Sequence, residues 1–351
     1  MNATHYIGFD VHKKSISFCV KTADGRIVEE GKLAAERRTL RTWASERNQP
    51  WRGAMEATLF SGWIYDTLKP FAARLDMAHP AMMRAICAGK KKNDKIDART
   101  IADMVRCDWL PVCYVAPPQM RELRRLLRYR SLVVRESVRM KNKIAGLLME
   151  VGAPYNKEKL HGKKYFTGLV ENLEEVPESV KDLLRLSRGA METFEATQKQ
   201  LVNRLLTDHE LGRRVERLAS IPGVGNITAL TWALEIADAN RFSCSADAMS
   251  YCGLTSALKS SAGKEQRGPI SKQRNAWLQT ALIEAAKLAP HWNPQLAHVH
   301  ERELARGHRN RATLAVARKL VAYLLAVDKS GKPFELRAAA PAEMPAAEEA
   351  A

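Results

Sequence analysis

The chain has 351 residues, a hydrophobic content of 46% and a formal net charge of +17. Its length allows two or three compact domains with substantial cores. No apolar run approaches the ~20 residues of a membrane-spanning helix, and the N-terminus lacks the apolar core of a signal peptide. The sequence therefore predicts a cytoplasmic protein without a membrane partner. The excess of positive charge indicates a polyanionic partner, and nucleic acid is the leading candidate.

Residues 1–115 are predicted to form an α/β domain. The strand-like segment 6–20 passes through a polar turn, and a second extended run at 26–33 follows the turn at Asp24 and Gly25, which indicates a hairpin. The remaining pattern predicts helices at 39–47, 60–73 and 93–107 and strands at 51–55 and 75–78.

Residues 116–217 are predicted to form a helical linker, either an antiparallel hairpin or a coiled coil, with a break around 152–165. Its first part has an excess of positive charge that a solvated helix rarely shows. Between residues 119 and 145, nine cations stand against Glu122 and Glu136: Arg121, Arg124, Arg125, Arg128, Arg130, Arg135, Arg139, Lys141 and Lys143. We expect this helix, with Arg124 and Arg128 among its contacts, to bind a nucleic-acid backbone.

Residues 218–337 are predicted to form a third, mostly helical domain with a polar, basic stretch in its middle. Residues 338–351 are rich in alanine and proline, and we expect them to be a disordered tail. The six cysteines lack the CxxC and paired-histidine spacings of zinc sites, so they are predicted to be reduced and mostly buried.

Asp10 is the first candidate functional residue. It alternates with Ile7, Phe9 and Val11, so one face of the strand is apolar while Asp10 points from the other. A surface aspartate on a half-exposed strand would give the same pattern. A carboxylate beside an apolar run is costly unless something binds it, which makes Asp10 a candidate metal ligand.

Three further carboxylates favour the functional interpretation. Glu56 follows an apolar strand, and Asp94 and Asp97 lie three residues apart at the start of a predicted helix, so both project from one face. Asp94 and Asp97 could also be acids favoured by the helix dipole. Together, however, the four acids would need cations to stay ionised, and ligands that are all oxygen favour Mg²⁺ or Mn²⁺. The order of elements predicts an RNase H-like core.

The motifs that carry these acids resemble a known family. GFDVHKK at 8–14, GAMEAT at 53–58 and KNDKIDAR at 92–99 resemble the DEDD transposases of bacterial insertion sequences, which include the Piv and MooV invertases. The likeness continues through IPGVGNITA at 221–229 and YCGLT at 251–255 to ISK at 270–272. The resemblance implies a RuvC-like N-terminal domain with a catalytic metal-binding tetrad, which maps to Asp10, Glu56, Asp94 and Asp97.

The segment at 220–229 has the glycine pattern of a helix-hairpin-helix turn. Gly223 and Gly225 would let backbone N–H groups approach a phosphate at the start of the next helix. A tight turn between two helices without a ligand needs the same glycines. Four basic residues that come after Ser260 and Ser261 are also predicted to contact nucleic acid: Lys264, Arg267, Lys272 and Arg274.

The resemblance also implies a nucleophilic serine in the C-terminal domain. In the family this serine begins a Ser-Gly pair six residues after the threonine of the Gly-Leu-Thr motif. Counting from Thr255 gives Ser261, but Ala262 follows it, with Gly263 one residue later. Ser260 therefore remains an alternative nucleophile.

The sequence as a whole predicts a DNA transposase or recombinase. The resemblance implies strand exchange through a 5′-phosphoserine, assembly as a tetramer, and target choice by a bridge RNA. Three alternatives stay open: a RuvC-like nuclease that uses water, an actin-like sugar kinase, and a non-catalytic nucleic-acid-binding protein. The kinase would need a later glycine-rich phosphate loop, and the sequence shows none of that type.

Overall fold

The computed structural model of the chain describes residues 5–86, 94–261 and 264–335, without the side chains of residues 84–86, 94, 95, 257–261 and 264–267. The chain divides into two compact units, Met1–Pro118 and Gln119–Ala351. None of the described helices is long and apolar enough to cross a bilayer.

The N-terminal unit is built on a mixed six-stranded sheet of order β3-β2-β1-β4-β5-β6. β1 pairs in parallel with β4, and β4 with β5, while the other neighbours are antiparallel. The strands are β1 His5–Val11, β2 Ser15–Thr22, β3 Ile27–Ala34, β4 Trp51–Glu56, β5 Arg74–Ala78 and β6 Val112–Cys113. The helices are α1 Arg37–Ser45, α2 Ser61–Leu68, α3 Pro80–Ile86 and α4 Asp94–Arg106.

The two faces of the sheet are packed differently. On one face, Phe9 of β1 contacts Trp43 of α1 and Trp51 of β4, with ring centroids 5.6 and 6.0 Å apart. On the other face, Gly8 lies directly against α4, because a Cβ at this position would lie 2.1 Å from the carbonyl oxygen of Ala98. Only glycine permits this close approach of helix and strand.

The predicted mixed α/β character of this unit is confirmed, with two differences in detail. The segment 6–20 forms two strands, because the chain turns after β1 and His12 N–H donates to the Ser15 carbonyl at 2.9 Å. The antiparallel part of the sheet therefore has three strands instead of one hairpin. The short helix α3 and the two-residue strand β6 were not predicted.

The C-terminal unit is mostly helical, as predicted. Its helices are α5 Pro118–Glu150, α6 Lys163–Glu171, α7 Glu178–Leu206, α8 His209–Ala219, α9 Asn226–Ile236, α10 Ser245–Tyr251, α11 Ala276–Leu288, α12 Pro294–Leu304 and α13 Arg309–Ser330. Its strands are β7 Ser256–Ser261 and β8 Lys264–Ile270, which form an antiparallel pair.

α5 and α7 form the predicted antiparallel helical hairpin. Lys141 of α5 pairs with Glu195 of α7 at 2.9 Å, while Leu148, further along α5, shares a buried cluster with Leu184, an earlier residue of α7. We call α5 and α7 the hairpin shaft, and residues 151–165, which follow α5 and include the first turn of α6, the hairpin tip.

The core of the C-terminal unit forms around α9 and α13, whose buried residues include Trp232 and Leu320. Asp328 of α13 accepts hydrogen bonds from Trp232 Nε1 at 2.9 Å and from Arg214 Nε at 2.7 Å. α5 and α8 contribute Leu127 and Leu211 to the same cluster. The boundary at 217/218 between a linker and a third domain stays a prediction.

Candidate active site

Two of the predicted metal ligands lie at the ends of neighbouring parallel strands. β1 pairs with β4 so that Phe9 stands opposite Met55, which puts Asp10 and Glu56 at the same level one residue further on. Gly8 faces α4, and side chains alternate along a strand, so Asp10 lies on the α4 side of the sheet and its neighbour Glu56 does too. The Asp10 side chain is 17% exposed and Glu56 is half-buried.

α4 runs antiparallel to β1 across this face. Ala98, near the start of the helix, lies over Gly8. Further along, Asp103 accepts a hydrogen bond from Lys21 Nζ at 2.5 Å, at the end of the sheet opposite to Asp10. The first turn of α4 therefore lies toward the end of β1 that carries Asp10.

Asp94 and Asp97 both belong to that first turn. Asp97 is half-buried, and no described cation lies within ion-pair distance of Asp97 or Glu56. Asp94 is the first residue of α4, and its side chain lies outside the described residues. The fold thus brings three of the four predicted acids to one edge of the sheet, and it places the backbone of the fourth there.

An ion pair and a buried thiol fix α4 beside these acids. The Arg99 guanidinium donates to both carboxylate oxygens of Glu30 on β3, with Nη2 to Oε2 at 2.6 Å. Beneath this pair, burial, together with a hydrogen bond to Glu30 and the negative charge of Glu30, raises the pKa of Cys19 to about 12. The thiol therefore stays protonated at neutral pH and serves as packing under the helix.

The donor set at this edge fits a hard divalent cation. Among the side chains that the structure describes, no three His, Cys, Asp or Glu residues already stand close enough to hold a metal ion. Glu56 and Asp97 nevertheless offer carboxylate oxygens without a described protein counter-ion, and Asp10 Oδ2 lies 3.0 Å from His12 Nε2 at the same edge. Carboxylate oxygens are the ligands that Mg²⁺ and Mn²⁺ prefer. The four-acid metal site stays a prediction.

The candidate nucleophile lies on a strand that sequence reasoning missed. Residues 256–261 belong to the polar, basic stretch for which no strand was predicted, but they form β7, and Ser261 is its last residue, opposite Lys264 of β8. Ser260 stands opposite Glu265. The side chains of both serines lie outside the described residues, so the choice between them stays open.

The base of the β7–β8 hairpin is firmly anchored. Ser271 N–H donates to the Thr255 carbonyl at 2.9 Å, and Gln279 Nε2 donates to the Gly253 carbonyl at 2.7 Å. Gly253 has a φ of +70°, and a Cβ there would lie 2.3 Å from Cβ of Arg274. This region holds the predicted nucleic-acid contacts Lys264, Arg267, Lys272 and Arg274, of which Lys272 and Arg274 are exposed.

The predicted helix-hairpin-helix turn joins α8 to α9. Gly223 has a φ of +94°, and a Cβ there would lie 2.6 Å from Cβ of Ala289, so this glycine is required by the turn and its packing. Gly225 is the residue before α9; it is exposed, and a Cβ would meet nothing within 4 Å. No side chain caps α9 there, which leaves its first N–H groups available to a phosphate.

Arg124 and Arg128 make contacts within the protein. Arg128 donates from Nε and Nη2 to the two carboxylate oxygens of Glu235, both at 2.8 Å, and Arg124 Nε donates to the Leu234 carbonyl at 2.9 Å. Burial lowers the pKa of Arg124, against the opposing charge of Glu235. These hydrogen bonds indicate a structural role for both arginines, and their binding to nucleic acid stays a prediction.

Sequence reasoning missed Glu235, which is 1% exposed. Besides Arg128, it accepts a hydrogen bond from Asn275 Nδ2 at 2.9 Å. Asn275 Oδ1 in turn caps α11 by accepting from the Trp277 and Leu278 N–H groups. The available signal was a single acid in the apolar run TWALEI at 231–236, a pattern that a surface glutamate would also produce.

Comparisons with known proteins match the chain in two segments. Residues 7–152 match the DEDD_Tnp_IS110 model, which is described as a transposase. Residues 215–301 match a second model, described as transposase of the IS116/IS110/IS902 family. The first segment contains all four acids, and the second contains the turn with Gly223 and the β7–β8 hairpin.

Individual relatives agree with these models. The transposase for insertion sequence element IS1328 from Yersinia enterocolitica is 26% identical, over 80% of this chain and 84% of the relative. A probable family 20 transposase from Pseudomonas aeruginosa is 25% identical, over 67% and 70%. The transposase for element IS1111A from Coxiella burnetii is 28% identical, over 56% and 54%. The chain therefore belongs to the IS110 family of bacterial insertion-sequence transposases.

Proposed function

We propose that this transposase cuts and rejoins DNA strands with a divalent cation held by its N-terminal unit and a serine supplied by its C-terminal unit. The observation that carries the proposal is the register of β1 and β4, which sets Asp10 level with Glu56 beside the first turn of α4. The proposed ligands of Mg²⁺ or Mn²⁺ are Asp10, Glu56, Asp94 and Asp97. This arrangement also supports an RNase H-like, RuvC-like fold for residues 1–115.

A bound divalent cation would offset charge on the scissile phosphate and lower the pKa of the attacking hydroxyl. The carboxylates are the groups that would hold the ion and fix its position. Because Asp10 and Glu56 lie on paired strands, their separation is set by backbone hydrogen bonds, and such rigid support is what a catalytic constellation needs.

In the proposed reaction, Ser261 Oγ attacks the phosphorus of a phosphodiester. The Oγ–P bond forms, the bond from phosphorus to the 3′-oxygen breaks, and the hydroxyl proton is released while the 3′-oxygen gains one. The product is a 5′-phosphoserine and a free 3′-hydroxyl. Attack by the 3′-hydroxyl of another strand reverses these bond changes and restores the serine. The energy of the phosphodiester is retained, so rejoining needs no ATP.

Around this chemistry we propose a tetramer that binds DNA together with a bridge RNA. The support is the net charge of +17, the resemblance to DEDD recombinases and the exposed basic residues after β8. Lys264 and Arg267 would offset charge on the pentacoordinate phosphorus. The exposed N-terminus of α9 at Gly225 offers a further phosphate contact.

The test mixes the full chain with Mg²⁺, the noncoding RNA that flanks the gene, and labelled donor and target DNA. We expect a covalent protein–DNA adduct on a denaturing gel with the wild type, and none with Ser261→Ala or Asp10→Asn. Ser260→Ala is the matched control, and it should retain the adduct.

The alternatives predict different results. Cleavage that survives Ser261→Ala and Ser260→Ala but is lost in Asp10→Asn would indicate a nuclease that uses water. Loss of the adduct in Ser260→Ala but not in Ser261→Ala would identify Ser260 as the nucleophile. Absence of any adduct or strand exchange with the flanking RNA would overturn the proposal.

A further inference from the structure

The hairpin tip carries positive charge that the protein does not neutralise. Its lysines are exposed, and within the described part of the chain none of them lies in an ion pair: Lys157, Lys159, Lys163 and Lys164. Glu158 is the one acid of the tip, and it is also exposed. Four unpaired cations within eight residues (157–164) are too concentrated to be an evenly mixed solvated surface.

Several cations on the hairpin shaft are, by contrast, neutralised within it. Arg139 pairs with Glu136 at 2.8 Å, and Lys141 pairs with Glu195 at 2.9 Å. On α7, Glu178 pairs with Lys181 at 3.7 Å and with Arg185 at 2.7 Å. Other shaft cations, Arg125, Arg135 and Lys143 of α5, are exposed and lie in no described ion pair, so they are also available to an outside anion. The tip differs from the shaft in that four such cations lie within eight residues.

The tip is a fixed platform. Tyr165 Oη accepts a hydrogen bond from the Asn156 N–H at 2.7 Å, and Asn156 Oδ1 accepts from the N–H groups of Glu158 and Lys159 at 3.0 and 3.1 Å. Leu160 is 1% exposed and belongs to the cluster between α5 and α7. The backbone that carries the lysines is thus ordered before any partner binds, which lowers the entropic cost of binding.

The first turn of α6 adds to the positive potential of the tip. Lys163 and Lys164 are its first two residues, no acid occupies that turn, and Gly162 provides no side-chain cap. A helix N-terminus carries partial positive charge, and cations there are unfavourable for the helix alone. The arrangement becomes favourable when an anion binds.

We propose that the hairpin tip binds the sugar–phosphate backbone of duplex DNA. This inference rests on the proposed function, which supplies the DNA. Lysine is a compact point charge without the planar fork of arginine, and this chemistry fits phosphates contacted without regard to sequence. Arg128 and Glu150 of α5 are 22 residues apart, so the tip lies about 33 Å from Arg128 at ~1.5 Å per residue. The tip would therefore contact DNA about 33 Å away from the Arg128–Glu235 ion pair.

The test compares two variants of the full chain that lose the same charge. The tip variant replaces its four lysines by glutamine: Lys157, Lys159, Lys163 and Lys164. The shaft variant makes the same change at four paired cations: Arg139, Lys141, Lys181 and Arg185. Affinity for a 40-base-pair duplex is measured by fluorescence anisotropy from 50 to 300 mM salt, and thermal melting confirms that both variants fold.

Each phosphate contact contributes ~0.9 to the slope of log affinity against log salt concentration. We expect the tip variant to lose about 3 to 4 from this slope and the shaft variant less than about 1. Equal losses, or no loss in the tip variant, would overturn the inference, as would a loss confined to a stem-loop RNA of similar length. A wild type that does not bind DNA would instead contradict the proposed function.

Discussion

The sheet of the N-terminal unit and the helical core of the C-terminal unit each hold a carboxylate within an apolar stretch, and they treat it in opposite ways. Glu235 is fully buried and accepts hydrogen bonds from Arg128 and Asn275. Asp10 and Glu56 reach a strand end where they stay partly exposed, and no described cation pairs with Glu56. An acid that follows an apolar run is thus a functional candidate when it lies partly exposed at a strand end, as Asp10 and Glu56 do, and a structural one when it is buried against an arginine, as Glu235 is.

The largest expected effect is at the sheet edge. Asp10→Asn and Glu56→Gln remove a proposed metal ligand, so strand exchange should fall about a thousandfold or more, because a metal supplies several kcal/mol to such a reaction. Without metal, the free energy of unfolding, followed by thermal melting, should change by less than ~0.5 kcal/mol. The same variants should also lose the Mn²⁺ affinity that calorimetry or electron paramagnetic resonance measures on the wild type.

If both variants bind Mn²⁺ as tightly as the wild type does, Asp10 and Glu56 are not metal ligands, and the contrast with Glu235 fails. Asp66→Asn is a suitable control because it removes a carboxylate from α2, which packs on the Phe9 face of the sheet, opposite to the face that carries Asp10. It should leave both Mn²⁺ affinity and strand exchange at the wild-type level.

The next effect is on stability in the C-terminal unit. Glu235→Ala removes the acceptor of Arg128 and Asn275; because Arg128 is 43% exposed and can be hydrated, this should cost roughly 1 to 3 kcal/mol of the free energy of unfolding. Chemical denaturation followed by circular dichroism measures the change. The double variant Arg128→Met with Glu235→Leu should recover part of the loss, since it fills the space of the buried carboxylate with apolar atoms and removes the arginine that needs an acceptor. A Glu235→Ala variant as stable as wild type would contradict the structural role.

A smaller effect is expected where α4 meets β1. Gly8→Ala places a Cβ 2.1 Å from the Ala98 carbonyl oxygen, so the helix must move away, at a cost of about 1 to 3 kcal/mol. The movement carries Asp97 away from Asp10, and Mn²⁺ affinity should fall together with stability. Gly146→Ala is the matched control, because a Cβ there meets nothing within 4 Å. Loss of stability without loss of Mn²⁺ affinity would show that metal binding does not depend on the position of α4.

The smallest effect is at the ion pair beside the acids. Arg99→Gln removes the bidentate contact with Glu30, and because Arg99 is 45% exposed the cost should stay below ~1 kcal/mol. Raising the salt concentration should reduce the difference between variant and wild type, since screening weakens exposed pairs. A difference in melting that is insensitive to salt would indicate that packing of the arginine stem, and not its charge, holds α4.

The strand positions of Asp10 and Glu56 could be predicted from the sequence, but the β7–β8 hairpin and the contacts of Glu235 could not. Asp10 and Glu56 were predictable because each ends a short apolar strand, a pattern that needs only neighbouring residues. The β7–β8 hairpin was not, because SALKSS and KEQRGPI offer few apolar residues to alternate. The contacts of Glu235 lie 107 and 40 positions away in the chain, so no local pattern could reveal that its charge is neutralised.

The pairing of β1 with β4 also determines where the gene tolerates insertions and deletions. The crossover between β3 and β4 contains α1 and loops, so added residues there leave the register of the two acids intact. A single residue inserted between Gly53 and Glu56 would instead turn the Glu56 side chain to the opposite face, toward Phe9 and Trp51. Length variation among active relatives should therefore fall in the crossover and spare the strands.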